Sequence, residues 1–372
     1  MSNTKLSNIP SLSPQKAINT LHKLYLNMSG CIDKAPSIML WGPPGVGKSQ
    51  AINELADKLS IDLNKKVVVT DVRLILFNPI DLRGIPSADS NKEFAVWLKP
   101  KIFNMNPSKD VLNILFLDEI SAAPLSVQAA AYQITLDKKV GEHQLPKNCI
   151  VIAAGNRVTD KSVAYQMPKA LANRLLHLEI EPEYSSWNEW AVSNGIHPYV
   201  LGFIKFKPDR LYCGSESNYD GLAYATPRTY EMVSNILNYV DDDMNEVFPL
   251  ISGLVGTGIA TEMKSWAKIY SKLPDIEKIF DGKEPAIPKE LDVLYALTSA
   301  MIKYARKHKD DLNKLGNSIK YASKLPPEFS VMLLKDYLYL EPNFKSKLLL
   351  IPEYKMWLKT KGRLLDATTR TN

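Results

Sequence analysis

The chain has 372 residues, which is enough for two or three domains with a large buried core. Its 45% hydrophobic and 23% charged residues exclude an intrinsically disordered chain, and its three scattered cysteines exclude a disulfide scaffold. The net charge of +6 is too small to indicate a nucleic-acid partner by itself. The polar N-terminus shows no secretory signal, and no apolar run is long enough to cross a membrane. We therefore expect a cytoplasmic protein without a membrane partner.

The N-terminal part of the chain predicts a mobile segment, then a helix, then a buried strand. Residues 1–13 are polar at first and end at Ser13, which would cap a helix that begins at Pro14. The apolar run at residues 37–41 has the composition of a strand inside a parallel sheet.

A phosphate-binding loop follows this strand. The pattern G-x-x-x-x-G-K-[ST] is fitted by Gly42, Pro43, Pro44, Gly45, Val46, Gly47, Lys48 and Ser49. Gln50 continues the loop into a helix with apolar residues at helical spacing, and it completes our candidate nucleotide-binding set. We expect Lys48 to reach the β- and γ-phosphates of ATP and the Ser49 hydroxyl to bind Mg²⁺.

A second strand is predicted at residues 66–71, and the turn residues and apolar segment that follow predict an inserted hairpin, which we place at residues 81–99. Two interpretations of the hairpin stay open: a moving element that touches a substrate, or a plain surface loop.

The apolar run at residues 111–117 predicts a third strand, which leads directly into Asp118 and Glu119. Ligands bind at the carboxyl ends of parallel strands, so this position favours a catalytic pair. We expect Asp118 to bind Mg²⁺ and Glu119 to activate the attacking water.

Further elements bring two more candidate residues. A helix at 126–137 and a hairpin at 138–146 precede a fourth strand at 149–154, and Asn156 follows that strand, where its amide would contact the γ-phosphate or the attacking water. A short helix at 169–173 leads to Arg174 and a fifth strand at 175–180. Arg174 either forms a structural ion pair or reaches the γ-phosphate in a neighbouring subunit.

The chain after residue 181 has helical periodicity. Thr226 and Pro227 would begin a helix that carries Arg228, which could fold back onto the nucleotide. The lysines and arginines between residues 303 and 324 fit a solvated face better than a nucleic-acid contact.

Taken together, these motifs resemble the AAA+ ATPases, and most closely the MoxR branch. In the family's terms, residues 42–49 match Walker A, Asp118–Glu119 Walker B, Asn156 sensor 1, Arg174 the arginine finger and Arg228 sensor 2. The resemblance rests on the segments at 41–49, 81–84, 153–156, 171–174, 186–198 and 225–228, and it covers roughly residues 14–240.

The resemblance implies an α/β fold with a Rossmann-like parallel sheet of five strands in the order 5-1-4-3-2, with helices on both faces. It divides the chain into an ATPase domain at 14–181, a helical lid at 182–240 and a C-terminal helical extension at 241–372. It implies an ATP-hydrolysing, ring-forming homo-oligomer, usually hexameric, with ATP and Mg²⁺ at the subunit interfaces. Such chaperones remodel or assemble a protein partner, often one with a von Willebrand factor A domain.

The chain departs from the family pattern because no aromatic–hydrophobic–glycine pore motif follows the second strand. The resemblance therefore does not imply threading of an unfolded chain. Two other functions stay open: a motor or loader directed to nucleic acid, and a nucleotide switch that binds ATP without hydrolysing it.

Overall fold

The computed structural model describes residues 9–157, 160, 165, 167, 172–214, 222–240 and 244–370, with the side chains of 363–370 excepted. The chain divides into two compact units, Met1–Glu183 and Tyr184–Asn372. Most of the segment predicted to be mobile, 1–13, and most of the helix predicted at 169–173 lie outside the described residues.

The first unit alternates strands and helices. Its strands are β1 (Ser11–Leu12), β2 (Ile38–Trp41), β3 (Lys66–Arg73), β4 (Ile85–Ala88), β5 (Ala95–Leu98), β6 (Val111–Asp118), β7 (Lys139–Val140), β8 (His143–Gln144), β9 (Cys149–Gly155) and β10 (Leu176–Ile180). Its described helices are α1 (Pro14–Asn27), α2 (Lys48–Leu63), α3 (Pro79–Arg83) and α4 (Leu125–Asp137), with short 3₁₀ turns at Ile32–Lys34, Leu74–Leu76 and Lys101–Phe103.

The main sheet is parallel and has six strands in the order β1-β10-β2-β9-β6-β3. The prediction of five strands is corrected by β1, which adds two residues beside β10 at the edge of the sheet. Propensity could not show β1, because two residues between Pro10 and the helix cap Ser13 have no readable periodicity.

The centre of the sheet is buried because its strands are almost entirely apolar. Every residue of β9 is buried, as is every residue of β6 before Asp118. On one face, Leu115 and Leu117 pack with the buried side of α4. The alternate residues of each strand point to the opposite face and are buried as well. This rigid layer fixes the strand ends that carry the polar residues.

Two hairpins project from this unit, and they contact each other. The first pairs β4 with β5, as expected for residues 81–99, and the second pairs β7 with β8 around Gly141. The N–H of Trp97 in β5 donates to Glu142 Oε1 at 3.0 Å, and the His143 ring binds the Trp97 carbonyl at 2.6 Å. The second hairpin therefore occupies the free edge of the first at this residue.

The second unit is helical in its described part. Its helices are α5 (Tyr184–Ser193), α6 (Pro198–Phe206), α7 (Pro227–Tyr239), α8 (Phe248–Val255), α9 (Thr257–Ala267), α10 (Ile276–Phe280), α11 (Leu291–Lys307), α12 (Leu312–Ala322), α13 (Pro327–Tyr337), α14 (Phe344–Leu348) and α15 (Pro352–Arg370), with 3₁₀ turns at Pro208–Leu211 and Lys268–Lys272.

One hydrophobic core runs through this helical unit, from Trp187 to Trp357. A buried ion pair joins Lys205 of α6 to Asp336 of α13, and Asn188 donates to the same carboxylate at 2.7 Å. The division of this region into a lid at 182–240 and an extension at 241–372 stays a prediction. None of the described helices combines the length and apolar character needed to span a membrane.

The stability of the helical unit should depend on pH through His197, which precedes α6. Burial, together with the charge of Lys303 at 3.4 Å, lowers the pKa of His197 to about 3 from its ordinary 6.5. The unfolded chain therefore binds a proton between these pH values that the folded chain does not. The contribution is complete above pH 6.5 and is lost as the pH falls toward 3, by about 1.4 kcal/mol per pH unit at its steepest.

The measurement is the urea midpoint between pH 7 and pH 4, compared with that of His197→Asn. Asparagine does not titrate in this range and is itself a good helix cap, so the variant should lose part of the acid sensitivity. An equal pH slope in the two proteins would show that His197 does not titrate as described.

Candidate functional site

The loop between β2 and α2 has the backbone of an anion-binding site. Gly45 and Gly47 have φ values of 79° and 94°, in the left-handed region that favours glycine. Gly47 is the N-cap residue of α2 and provides no side-chain cap. The N–H groups of the first turn of α2 can therefore bind an anion, helped by the helix dipole.

Lys48 is buried and its ammonium lies among oxygen atoms of the loop. Its Nζ donates to Gly42 O at 2.6 Å, to Pro43 O at 3.0 Å and to Asn156 Oδ1 at 3.0 Å. The structure thus brings together two of the predicted residues, Lys48 and Asn156, which are 108 positions apart in sequence. A phosphate oxygen is a stronger partner for an ammonium than a neutral carbonyl, so this lysine can exchange partners when a phosphate binds.

Ser49 and Asp118 are also brought together, as expected for a shared metal ion. The Ser49 hydroxyl donates to Asp118 Oδ2 at 3.0 Å. The backbone N–H of Glu119 donates to the other carboxylate oxygen at 2.9 Å. Both oxygens of Asp118 therefore have fixed partners at the carboxyl end of β6.

The Ser49 hydroxyl and the Asp118 carboxylate together fit Mg²⁺. This hard cation takes one or two protein ligands and completes its shell with water and phosphate oxygens. Within the described part of the chain, no group of three or more His, Cys, Asp or Glu side chains could hold a metal ion without such help. A Mg²⁺ ion held by Ser49 and Asp118 would take its remaining ligands from water and from the oxygens of a bound phosphate group.

Glu119 has a left-handed backbone, with φ at 58°. This conformation is unfavourable for a residue with a Cβ atom and is found where the surrounding structure enforces it. Here the next residue enforces it, because the Ile120 N–H donates to Ala154 O in β9 at 3.0 Å. The chain therefore turns away from the direction of β6 at Glu119, the residue directly after Asp118.

Two charged residues of the neighbouring strand β3, Asp71 and Arg73, lie close to Asp118. Arg73 lies opposite Asp118 in the parallel register, and Asp71 is on the same face of β3. Partial burial and the charge of Asp118 raise the pKa of Asp71, although Arg73 opposes the shift.

Arg174 lies at the other end of the sheet. Leu176 is opposite Ile38 in the register, so Arg174 is two residues before that level and Gly42 is four residues after it. Arg174 lies in the turn before β10, and the four strand steps from the level of Leu176 to Gly42 alone correspond to about 13 Å, more than an arginine side chain can span. Arg174 therefore cannot reach the phosphate-binding loop of its own chain.

The alternative of a structural ion pair for Arg174 is not supported within the described residues, where its side chain is exposed and forms no ion pair. Arg174 lines an open cavity of about 450 Å³, together with Lys138 and Lys147. A cation at such a surface is available to a neighbouring molecule.

Arg228 belongs to the helical unit. It is exposed in the first turn of α7, where the side chain of Thr226 caps the helix by accepting the N–H of Thr229 at 3.1 Å. The predicted cap is confirmed, and the role of Arg228 at the nucleotide stays a prediction.

Sequence reasoning missed several residues that hold this site in place. Ser121 Oγ accepts the backbone N–H of Asn156 at 2.9 Å. Trp41 Nε1 donates to His177 Nδ1 at 2.9 Å, and His177 Nε2 binds Ala172 O, two residues before Arg174, at 2.7 Å. Arg157 forms ion pairs with Glu179 of β10 and with Glu181, which follows β10. No spacing rule signals these contacts, because they join residues far apart in sequence.

Comparison with known proteins agrees with this geometry for the first unit. Residues 37–177 match the sequence model of a family described as the ATPase family associated with various cellular activities (AAA). The matched residues lie within the first unit and span most of it. No curated protein matches the chain significantly.

Solved structures with a similar arrangement are distant. A mutant of Thermotoga maritima RuvB is 14% identical, with a TM-score of 0.38 over 78% of this chain and 84% of RuvB. Brucella abortus NtrX in complex with ATP is 14% identical, with a TM-score of 0.34 over 89% of this chain and 70% of NtrX. Drosophila ORC bound to DNA is 12% identical, with a TM-score of 0.33 over 89% of this chain and 80% of the other. At these scores the likenesses carry no argument about activity.

Proposed function

We propose that this chain, whose residues 37–177 match the AAA ATPase family, hydrolyses ATP at the interfaces of a ring and uses the energy to remodel or assemble a protein partner. The observation that carries the proposal is the convergence of Lys48, Ser49, Asp118 and Asn156 at one edge of the sheet. The matched region is consistent with the MoxR-like branch.

The residues at this edge divide the work of phosphate binding and water activation. Lys48 and the N-terminus of α2 bind the phosphates, and Asn156 contacts the terminal phosphate from the side of β9. Glu119 accepts the proton of the attacking water, and its fixed backbone orients the carboxylate. When bound to Ser49 and Asp118, Mg²⁺ supplies charge neutralisation at the phosphate oxygens.

The position of Arg174 supports an assembly of several copies. Because Arg174 is too far from its own phosphate loop, it serves hydrolysis only at the loop of a neighbour. A head-to-tail contact of this kind generates a closed ring when its rotation closes. A hexamer in the cytoplasm, with a partner that carries a von Willebrand factor A domain, is the assembly that fits the MoxR-like resemblance. Arg228 would report the nucleotide to the helical unit.

The nucleic-acid alternative gains no support from the basic segment at 303–324. Lys309 forms an ion pair with Glu341 at 2.6 Å, Lys314 with Asp281 at 3.5 Å and Lys320 with Glu284 at 3.2 Å. These carboxylates offset much of the local positive charge. A motor of that class would show ATPase activity stimulated by nucleic acid at low salt, and the absence of stimulation would discard it.

The direct test of ATP hydrolysis is phosphate release by the purified protein with ATP and Mg²⁺. We expect turnover in the wild type and loss of both ATP binding and turnover in Lys48→Ala, because the buried ammonium is removed. Lys147→Ala, the same change at an exposed lysine, should retain ATP binding. Binding of ATP without turnover in the wild type would instead favour the nucleotide switch.

The Mg²⁺ ligand Ser49 gives a second prediction. Loss of a residue that merely orients a metal ligand costs about 10–100-fold in metal affinity, and Ser49 is a direct ligand, so Ser49→Ala should raise the Mg²⁺ concentration for half-maximal turnover at least tenfold. Ser49→Thr keeps the hydroxyl and should stay close to the wild type. A titration with Mg²⁺ at constant ATP measures both, and equal Mg²⁺ requirements of Ser49→Ala and the wild type would remove Ser49 from the site.

A further inference from the structure

Arg157 lies directly after Asn156 and at the centre of a cluster of three carboxylates. Its Nε and Nη2 donate to Asp160 Oδ1 at 2.9 and 2.8 Å. Its Nη1 donates to Glu179 Oε1 and lies 3.6 Å from Glu181 Oε1. The phosphate-binding scheme above gives this arginine no task.

Two of the three contacts are buried and one is not. The side chains of Asp160 and Glu179 are 5% and 0% exposed, while that of Glu181 is 36% exposed. Burial by itself lowers the pKa of Arg157, but the bonds and charges of Asp160 and Glu179 outweigh it and the pKa is raised. The buried pairs stay formed, because breaking them would leave a buried carboxylate without a cation. Glu181 forms the contact that can open.

The Arg157 cluster connects the candidate phosphate site with the last residues of the first unit. Asn156 binds the ammonium of Lys48, and one peptide bond joins it to Arg157. Glu179 lies opposite Trp41 in the register, immediately before the phosphate loop. Glu181 is three residues before Tyr184, where the helical unit begins.

From this arrangement we infer that Arg157 is a positioning residue that couples the nucleotide state sensed by Asn156 to the segment entering the helical unit, through its contact with Glu181. When a phosphate binds the Lys48 ammonium, Lys48 no longer donates to Asn156 and the Asn156 side chain can move. The peptide bond between Asn156 and Arg157 transmits this change to Arg157. The bonds to Asp160 and Glu179 are short and buried, so a displacement that reaches Arg157 alters first its longer, partly exposed contact with Glu181. The inference rests on the proposed ATP hydrolysis.

Glu181→Gln in the full-length chain tests this coupling without disturbing the buried pairs. Hydrogen exchange of residues 181–193 is compared with ATP, in a Glu119→Gln background, and with ADP. We expect a clear difference between the nucleotides in the parent and a difference reduced at least threefold in Glu181→Gln. With Glu119 intact, kcat should fall on the order of threefold to tenfold, while KM for ATP changes less than about twofold. A merely structural role would not separate kcat from KM in this way.

Two further variants control for charge and folding. Glu231→Gln makes the same chemical change at an exposed position of α7 and should respond like the parent. Arg157→Lys keeps the positive charge but loses the forked geometry, so its exchange difference should be intermediate.

The outcomes separate the two proposals. If the wild type does not hydrolyse ATP, the proposed function fails and this inference fails with it. If it hydrolyses ATP but residues 181–193 exchange alike with ATP and ADP, or if Glu181→Gln and Arg157→Lys both keep the full difference, only the coupling through Arg157 is overturned.

Discussion

Replacing Glu119 with glutamine should leave ATP binding within about twofold of the wild type and lower turnover at least about 100-fold, the usual contribution of a general base. The amide has the size and shape of the carboxylate but cannot accept the proton of the attacking water. Lys48, Ser49 and Asp118 keep their contacts, so the affinity for ATP should be preserved. Steady-state phosphate release and equilibrium binding of ATP measure the two effects separately.

The matched control is Glu328→Gln, the same change at an exposed residue of α13 in the helical unit. It should release phosphate at the wild-type rate. Turnover of Glu119→Gln at the rate of this control would take the role of general base away from Glu119. Loss of ATP binding in Glu119→Gln would assign the residue to binding rather than to water activation.

Replacing Arg174 with alanine should lower turnover about 1,000-fold or more, because an arginine that stabilises the transferring phosphate contributes that much in related chemistry. ATP binding should change little, since Arg174 lies at the opposite end of the sheet from the loop that holds the phosphates in its own subunit. Arg174→Lys keeps the charge and loses the forked donor geometry, so its turnover should lie between those of Arg174→Ala and the wild type.

Lys147→Ala is the control for Arg174→Ala, because Lys147 is a second cation on the same cavity. A loss of turnover as large in Lys147→Ala would show that the general charge of the cavity matters rather than the guanidinium. Turnover of Arg174→Ala equal to that of the wild type would leave Arg174 without a catalytic task.

The convergence of the candidate phosphate-binding residues was predictable because their positions follow from backbone geometry. Gly45 and Gly47 stand where φ is positive, and Lys48 begins a helix after a buried strand. Asp118 and Asn156 each sit at or directly after the carboxyl end of a buried strand. Parallel strands bring these ends to one edge of the sheet, so residues that are far apart in sequence come close together there.

What the sequence could not predict depends on contacts between distant residues or on very short elements. The strand β1 pairs only two residues, too few for a periodic signal. The contacts of Arg157 with Glu179 and of Trp97 with Glu142 join residues 22 and 45 positions apart. Single polar residues at such positions look like ordinary surface residues until the fold places their partners.

The claim that hydrolysis takes place between subunits is tested most directly by mixing Glu119→Gln with Arg174→Ala. Each variant alone should be nearly inactive. In a mixed ring, an Arg174→Ala subunit keeps Glu119, and a Glu119→Gln neighbour keeps Arg174. An interface that combines these two intact residues is complete, and random mixing places them together at about a quarter of the head-to-tail interfaces. We expect phosphate release to reappear on mixing and to rise toward about a quarter of the wild-type rate. A mixture that assembles but stays as inactive as its two components would contradict it.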